Sequence, residues 1–210
     1  MSVYVVTGVS KGIGFEFLRQ IWEDQKNLVV GLVRDKAATE KKIAAELGDR
    51  HNIHILHADL TKYASLKQAA ADTAETIGER GIDYLVANGA LVPYLDTYGP
   101  IGALSDKVEE VDAVSSQLSQ TNVVGNIHLF HLFLPLVLKG KVKKVLTICN
   151  IWTFLLMGFM GKLVTYAPHF KGPISPEESV RHVRSTWEKA SIEGGFGGAF
   201  VSHLGNKQWV

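Results

Sequence analysis

Between residues 3 and 149, short and almost unbroken apolar runs alternate with longer amphipathic stretches, a rhythm that few folds accommodate. The runs are 3–7, 28–33, 53–57, 84–87 and 145–149. Each is continuous, as in strands that helices cover on both faces. The stretches 12–22, 39–47, 63–77 and 121–138 carry apolar residues at helical spacing. This succession predicts an α/β domain built on a doubly wound parallel sheet. After residue 149 the alternation stops. Ser175-Pro176-Glu177-Glu178 is a strong helix start: serine as cap, proline at the first helical position, Glu178 placed to close a capping box. That helix is expected to end near residue 191, and 199–203 reads as a last short strand.

Composition bounds the function. With 46% apolar and 20% charged residues among 210, the chain can bury a core without disulfides or metals. A net charge of +1 provides no field to attract nucleic acid. Cys149 is the sole cysteine, which excludes an internal disulfide and fits a reducing, cytoplasmic setting. The first apolar run begins at once, without a charged leader. Residues 145–161 are nearly uncharged but shorter than a bilayer-crossing helix, and they begin as a strand, so no membrane partner is expected. His51, His54 and His57 recur at every third residue, which in a strand alternates faces and cannot converge on a metal. His128 and His131 share a helix face without an acidic or cysteine ligand nearby in sequence, so no metal site is expected.

Thr7-Gly8-Val9-Ser10-Lys11-Gly12-Ile13-Gly14 joins the first strand to the first helix. Glycines there let the backbone turn tightly and approach a pyrophosphate seated on the positive end of the helix. The spacing Thr-Gly-x-x-x-Gly-x-Gly resembles that of the short-chain dehydrogenase/reductase family, and further motifs follow in the family's order. Asp59-Leu60 resembles its adenine-contacting pair. Ala87-Asn88-Gly89-Ala90 resembles its Asn-Asn-Ala-Gly element with the last two residues exchanged. Residues 121–125 resemble the helix bearing its structural and catalytic asparagine, here Asn122, and 143–148 resemble its fifth strand. Gly205 and Trp209 match its Gly-x-x-x-Trp ending.

The resemblance implies a Rossmann-like sheet in the order 3-2-1-4-5 and a single domain over 1–210, with a cofactor half at 1–150 and a shortened part at 151–210. It also implies an oxidoreductase acting on a ketone, aldehyde or secondary alcohol. The nicotinamide cofactor would be held by Thr7, Gly8, Ser10, Lys11, Gly12, Ile13, Gly14, Arg34, Asp59, Leu60, Asn88 and Gly89. A residue at the end of the second strand faces the adenosine ribose in such folds. Arg34 there, with Lys11 in the glycine turn, favours the extra phosphate of NADP. Asp35 beside it keeps NAD as the alternative.

In the resembled family a tyrosine hydroxyl protonates the carbonyl oxygen while the nicotinamide gives a hydride. A lysine four residues later lowers the tyrosine's pKa and holds the ribose, and a serine after the fifth strand polarises the carbonyl. Here Cys149-Asn150 stands where the family has a Ser-Ser pair, which puts Asn150 in the serine's place. No tyrosine and lysine follow at the required spacing. Lys171 is five residues beyond Tyr166, and Pro168 would break a helix between them. Tyr63 and Lys67 match the spacing but belong to the helix after Asp59-Leu60, away from any nicotinamide. The sequence passes almost directly from Asn150 to residues 155–170, which resemble the family's substrate lid, so an internal segment carrying the tyrosine and lysine is expected to be missing. The family commonly dimerises through the helix near Thr121 and the tyrosine-bearing helix. Without the latter, a dimer or tetramer interface is expected to be compromised and the strand at Val145 poorly covered. The resulting expectation is an NADP-binding oxidoreductase impaired in catalysis; the rival is a non-enzymatic nucleotide-binding or interaction protein.

Overall fold

The computed structural model describes residues 2–48, 50–93, 104–148, 175–202 and 205–206. Five strands, β1 (Val3–Thr7), β2 (Leu28–Val33), β3 (Ile53–His57), β4 (Tyr84–Ala87) and β5 (Lys144–Thr147), form one sheet. All its pairings are parallel and its order is β3-β2-β1-β4-β5, as the sequence predicts. Alternate residues of β1 enter opposite core layers, because successive side chains of a strand point to opposite faces. Tyr4 and Val6 join the layer under α1 (Gly12–Trp22), α2 (Lys36–Leu47) and α6 (Pro176–Lys189). Val3 and Val5 join the layer under α3 (Tyr63–Ile77) and α5 (Gly125–Lys139). Both layers are continuous apolar clusters, which is why the strands read as unbroken runs.

The C-terminal helix starts as its sequence signals. Ser175 Oγ accepts the Glu178 N–H at 3.1 Å, and the Glu178 carboxylate accepts the Ser175 N–H at 3.2 Å. Trp187 then fixes α6 to the sheet, with ring centroids 5.4 Å from Phe17 and 5.5 Å from Tyr84.

Four boundaries differ from the sequence reading. The second helix begins at Lys36, because Asp35 caps it by accepting the Ala38 N–H at 3.0 Å. The helix expected at 121–138 is preceded by a further one, α4 (Val108–Leu118), and a π-helical turn, Ser119–Val124, joins α4 to α5. β5 is Lys144–Thr147, with the Ile148 N–H still reaching the Ala87 carbonyl at 3.0 Å; Cys149 lies outside the described residues. No strand forms over 199–202. The Ser202 N–H donates to the Asn206 carbonyl at 2.7 Å, and the Gly205 N–H to the Ser202 carbonyl at 2.9 Å, so a local turn takes the backbone groups a ladder would use. The apolar run 151–161 lies outside the described residues.

Val108–Lys139 is long and apolar enough, by length and composition, to cross a membrane. In the fold, Leu129, Phe133 and Val137 are buried under the sheet, while Ile127, Leu134 and Leu138 on the other side are exposed.

One buried acid, Asp83, ties three chain segments together. It is 5% exposed. One carboxylate oxygen accepts the Val3 N–H at 2.9 Å, and the other accepts those of Lys141 and Val142 at 2.9 and 3.1 Å. It thereby fixes the starts of β1 and β4 and the entry to β5 at once.

Candidate functional site

The sheet order reverses at β1, so a crevice opens at the C-terminal ends of β1 and β4. Thr7 ends β1 and is buried; its Oγ1 accepts the N–H of Asn88 at 3.0 Å and of Gly89 at 2.7 Å. Asn88 Nδ2 donates back to the Thr7 carbonyl at 3.1 Å. These bonds lock the end of β4 to the start of the glycine turn. Gly8 adopts φ +74°, and a Cβ there would lie 2.7 Å from Gly89 Cα. A Cβ on Gly14 would come within 2.1 Å of the Gly8 carbonyl oxygen. At both places the turn packs so closely on itself and on Asn88 and Gly89 that only glycine fits, whereas Gly12, at φ +58°, faces open space.

The helix start facing this cradle is left bare. Lys11 occupies the cap position of α1 with no side-chain hydrogen bond to the helix; α3 and α4 likewise start without one, while Asp35 caps α2 and Ser175 caps α6. Uncapped N–H groups at a helix start, together with its dipole, suit an anion. Ser10, Lys11 and Arg34 are exposed around this point, and Ile13 packs its side chain into the core, leaving only its backbone to the turn.

Asp59 follows β3. Its N–H donates to Ser65 Oγ at 3.0 Å, and its carboxylate accepts the Thr61 N–H at 3.0 Å and hydroxyl at 2.7 Å. Partial burial opposes ionisation, but the Thr61 hydrogen bonds and the nearby Lys62 and Arg34 outweigh it, holding the carboxyl below its ordinary value. Leu60 packs its side chain beneath α3 and α5. Asn122, in the π turn, accepts the Leu91 N–H and donates to the Leu91 carbonyl, both at 2.8 Å. Its own carbonyl accepts from Asn126 Nδ2 at 2.8 Å. The Asn122 side chain thus acts as a clasp between α5's approach and the segment after β4.

The family model described as short chain dehydrogenase matches residues 2–161. The chain belongs to the short-chain dehydrogenase family. It is 52% identical to the short-chain dehydrogenase/reductase iacC of Pestalotiopsis fici and 39% identical to the short chain dehydrogenase virK of Hypocrea virens. Both alignments run over 272 residues and cover 100% of each chain. This chain has 210 residues, so 62 positions of each alignment have no counterpart in it. An alcohol dehydrogenase from the archaeon Thermococcus sibiricus, solved in complex with 5-hydroxy-NADP, shares the fold. Its TM-score is 0.61 at 18% identity, over 90% of this chain and 92% of that one.

Within this short-chain dehydrogenase, Thr7, Gly8, Gly14, Asn88 and Gly89 stand in direct contact; Ser10, Lys11 and Gly12 belong to the same turn, and Arg34 and Asp59-Leu60 follow the C-terminal ends of β2 and β3. Asn150, Tyr166 and Lys171 lie outside the described residues. Tyr63 sits on exposed α3, edge-on to His128 of α5 at 5.0 Å between ring centroids. Among the described residues no three His, Cys, Asp or Glu side chains stand close enough to hold a metal. The sequence reading missed Lys42, whose Nζ reaches the Ser10 carbonyl at 3.3 Å. Only the face that α2 turns towards the glycine turn could have revealed it.

Proposed function

We propose that this chain binds NADP(H) as a short-chain dehydrogenase/reductase of ketone, aldehyde or secondary-alcohol type, with its proton-transfer machinery missing. The observation that carries the binding half is the glycine turn, closed on Asn88 and Gly89 at Gly8 and Gly14, open at Gly12, and leading into an uncapped helix start. Its donor set fits a dinucleotide: backbone N–H groups and Lys11 for the pyrophosphate, Arg34 for a phosphate on the adenosine ribose, and Asp59 beside the adenine. NADPH, when bound, supplies the hydride. The chain's own residues then have only to orient the substrate and deliver a proton. The lack of a tyrosine–lysine pair in the sequence after Asn150, and the 62 alignment positions without a counterpart, support the loss of that second role.

The cofactor preference is tested by titrating NADPH and NADH into the parent protein and into Arg34→Ala. NADPH should bind the parent more tightly, and the variant should lose roughly tenfold for NADPH alone, about 1.4 kcal/mol, the scale of a part-exposed charge-assisted pair. Equal affinities in the parent would remove the case for NADP.

We further propose that the missing segment leaves the subunit interface compromised. β5 is an edge among the described strands, with Val145 45% exposed, and Ile127, Leu134 and Leu138 of α5 are exposed. Apolar surface of this kind promotes association. Light scattering should show concentration-dependent aggregation and a low unfolding temperature. A compact dimer, stable on dilution, would contradict it.

A further inference from the structure

We infer that Lys42 is a third cation of the subsite for the adenosine 2′-phosphate and helps set the choice between NADPH and NADH; the inference rests on the NADP(H) reading above. Lys42 stands on the second turn of α2, the helix that begins two residues after Arg34. Helical side chains lean towards the helix N-terminus, so its ammonium is carried back towards the end of β2. There it lies 3.3 Å from the Ser10 carbonyl oxygen and 4.0 Å from the centroid of the Phe15 ring. Ser10 is the exposed residue just before Lys11 in the glycine turn. Lys42 thus reaches the turn that carries Lys11, and its helix follows directly on the strand end that carries Arg34.

The charge of Lys42 is barely compensated. It pairs loosely with Glu46, 3.9 Å away on the outer side of the helix, whose side chain is 53% exposed. A carbonyl oxygen and an aromatic face hold an ammonium in place without neutralising it. Three cations gathered around a ribose with free hydroxyls would only repel one another. A phosphate on the 2′-oxygen gives them a shared partner, which is the difference between the two cofactors.

The test uses the full chain and calorimetric titration with NADPH, NADH and 2′,5′-ADP, the last carrying the phosphate without a nicotinamide. Lys42→Met keeps an unbranched side chain on α2 and removes the charge that lies over Phe15. The expected result is NADPH and 2′,5′-ADP weakened roughly 5–10-fold, NADH unchanged, and a shallower salt dependence for NADPH. Lys42→Arg should restore the preference. If Lys42→Met does not fold, Lys42→Gln carries the same test. NADH weakened by the same factor as NADPH would mean that Lys42 merely shapes the glycine turn, and an unchanged NADPH affinity would also overturn the proposal. The parent reading fails differently. If the parent binds both cofactors equally, NADP(H) itself is wrong. If Arg34→Ala abolishes the preference and Lys42→Met keeps it, the NADP(H) reading stands and Lys42 has no part in it.

Discussion

The purified chain should bind NADPH yet reduce carbonyl compounds at or close to the uncatalysed rate. Hydride transfer to a carbonyl needs a proton for the oxygen and a donor that steadies its developing charge. A positioned general acid contributes roughly 10²–10⁴-fold and an oxyanion donor roughly 10²–10³-fold, so losing both should cost at least about 10⁴-fold in turnover. On the proposed reading Asn150 stands in the serine's place, an amide for a hydroxyl, and no tyrosine follows with a lysine four residues on. Asn122 does not compensate, since both ends of its amide are held by the Leu91 backbone. Binding should persist, because Thr7, Gly8, Gly14 and Asn88 form a closed set of contacts with each other. Stopped-flow or endpoint oxidation of NADPH with a panel of small ketones and aldehydes measures the first part, and cofactor fluorescence the second. Tyr63→Phe and Tyr166→Phe should leave the residual rate untouched. Brisk turnover that Tyr166→Phe abolishes would mean that the proton donor is present after all and the proposed loss is wrong.

Asp83→Ala should destabilise the fold by about 3–5 kcal/mol, a large share of the total for a domain of ordinary stability. Three backbone N–H groups converge on this carboxylate, and alanine would leave all three without a partner in a largely dry place. Asp83→Asn keeps the shape but offers one acceptor oxygen, so it should lose less. Urea unfolding followed by circular dichroism gives both numbers. A change under about 1 kcal/mol for the alanine variant would show that water replaces the carboxylate at little cost.

What could be read from the sequence depended on whether the signal was local. Continuous apolar runs gave all five strands, since burial on both faces leaves no other pattern for β1, β2 and β4. The capping box at Ser175 and Glu178 was equally legible, because its bonds join residues three apart. α4 was missed although Val108, Val111, Val114 and Leu118 recur at helical spacing; the stripe is short and none of its residues is buried in the fold. The π turn was missed because its shape follows from the Asn122 clasp on Leu91, a contact 31 residues long in sequence. The expected strand at 199–203 had apolar residues, but over its described part turn bonds at Ser202 took the backbone. In the site, the glycine turn and Asn88 were visible as motifs. Lys42 and the three-way role of Asp83 were not, since each depends on which segments the fold brings alongside.

The strand order also dictates when the parts of this molecule can come together. β1, β2 and β3 are neighbours in the chain as well as in the sheet, so their pairing closes only short loops. β4 must find β1 across the whole intervening unit, and the Val3–Asp83 bond spans 80 residues. Contacts of such separation cost more chain entropy to close, so the first three strands are expected to pair before β4 and β5 complete the sheet. The cradle, shared between the ends of β1 and β4, is thus expected to form only with that completion, when Asn88 and Gly89 come to lie beside the glycine turn.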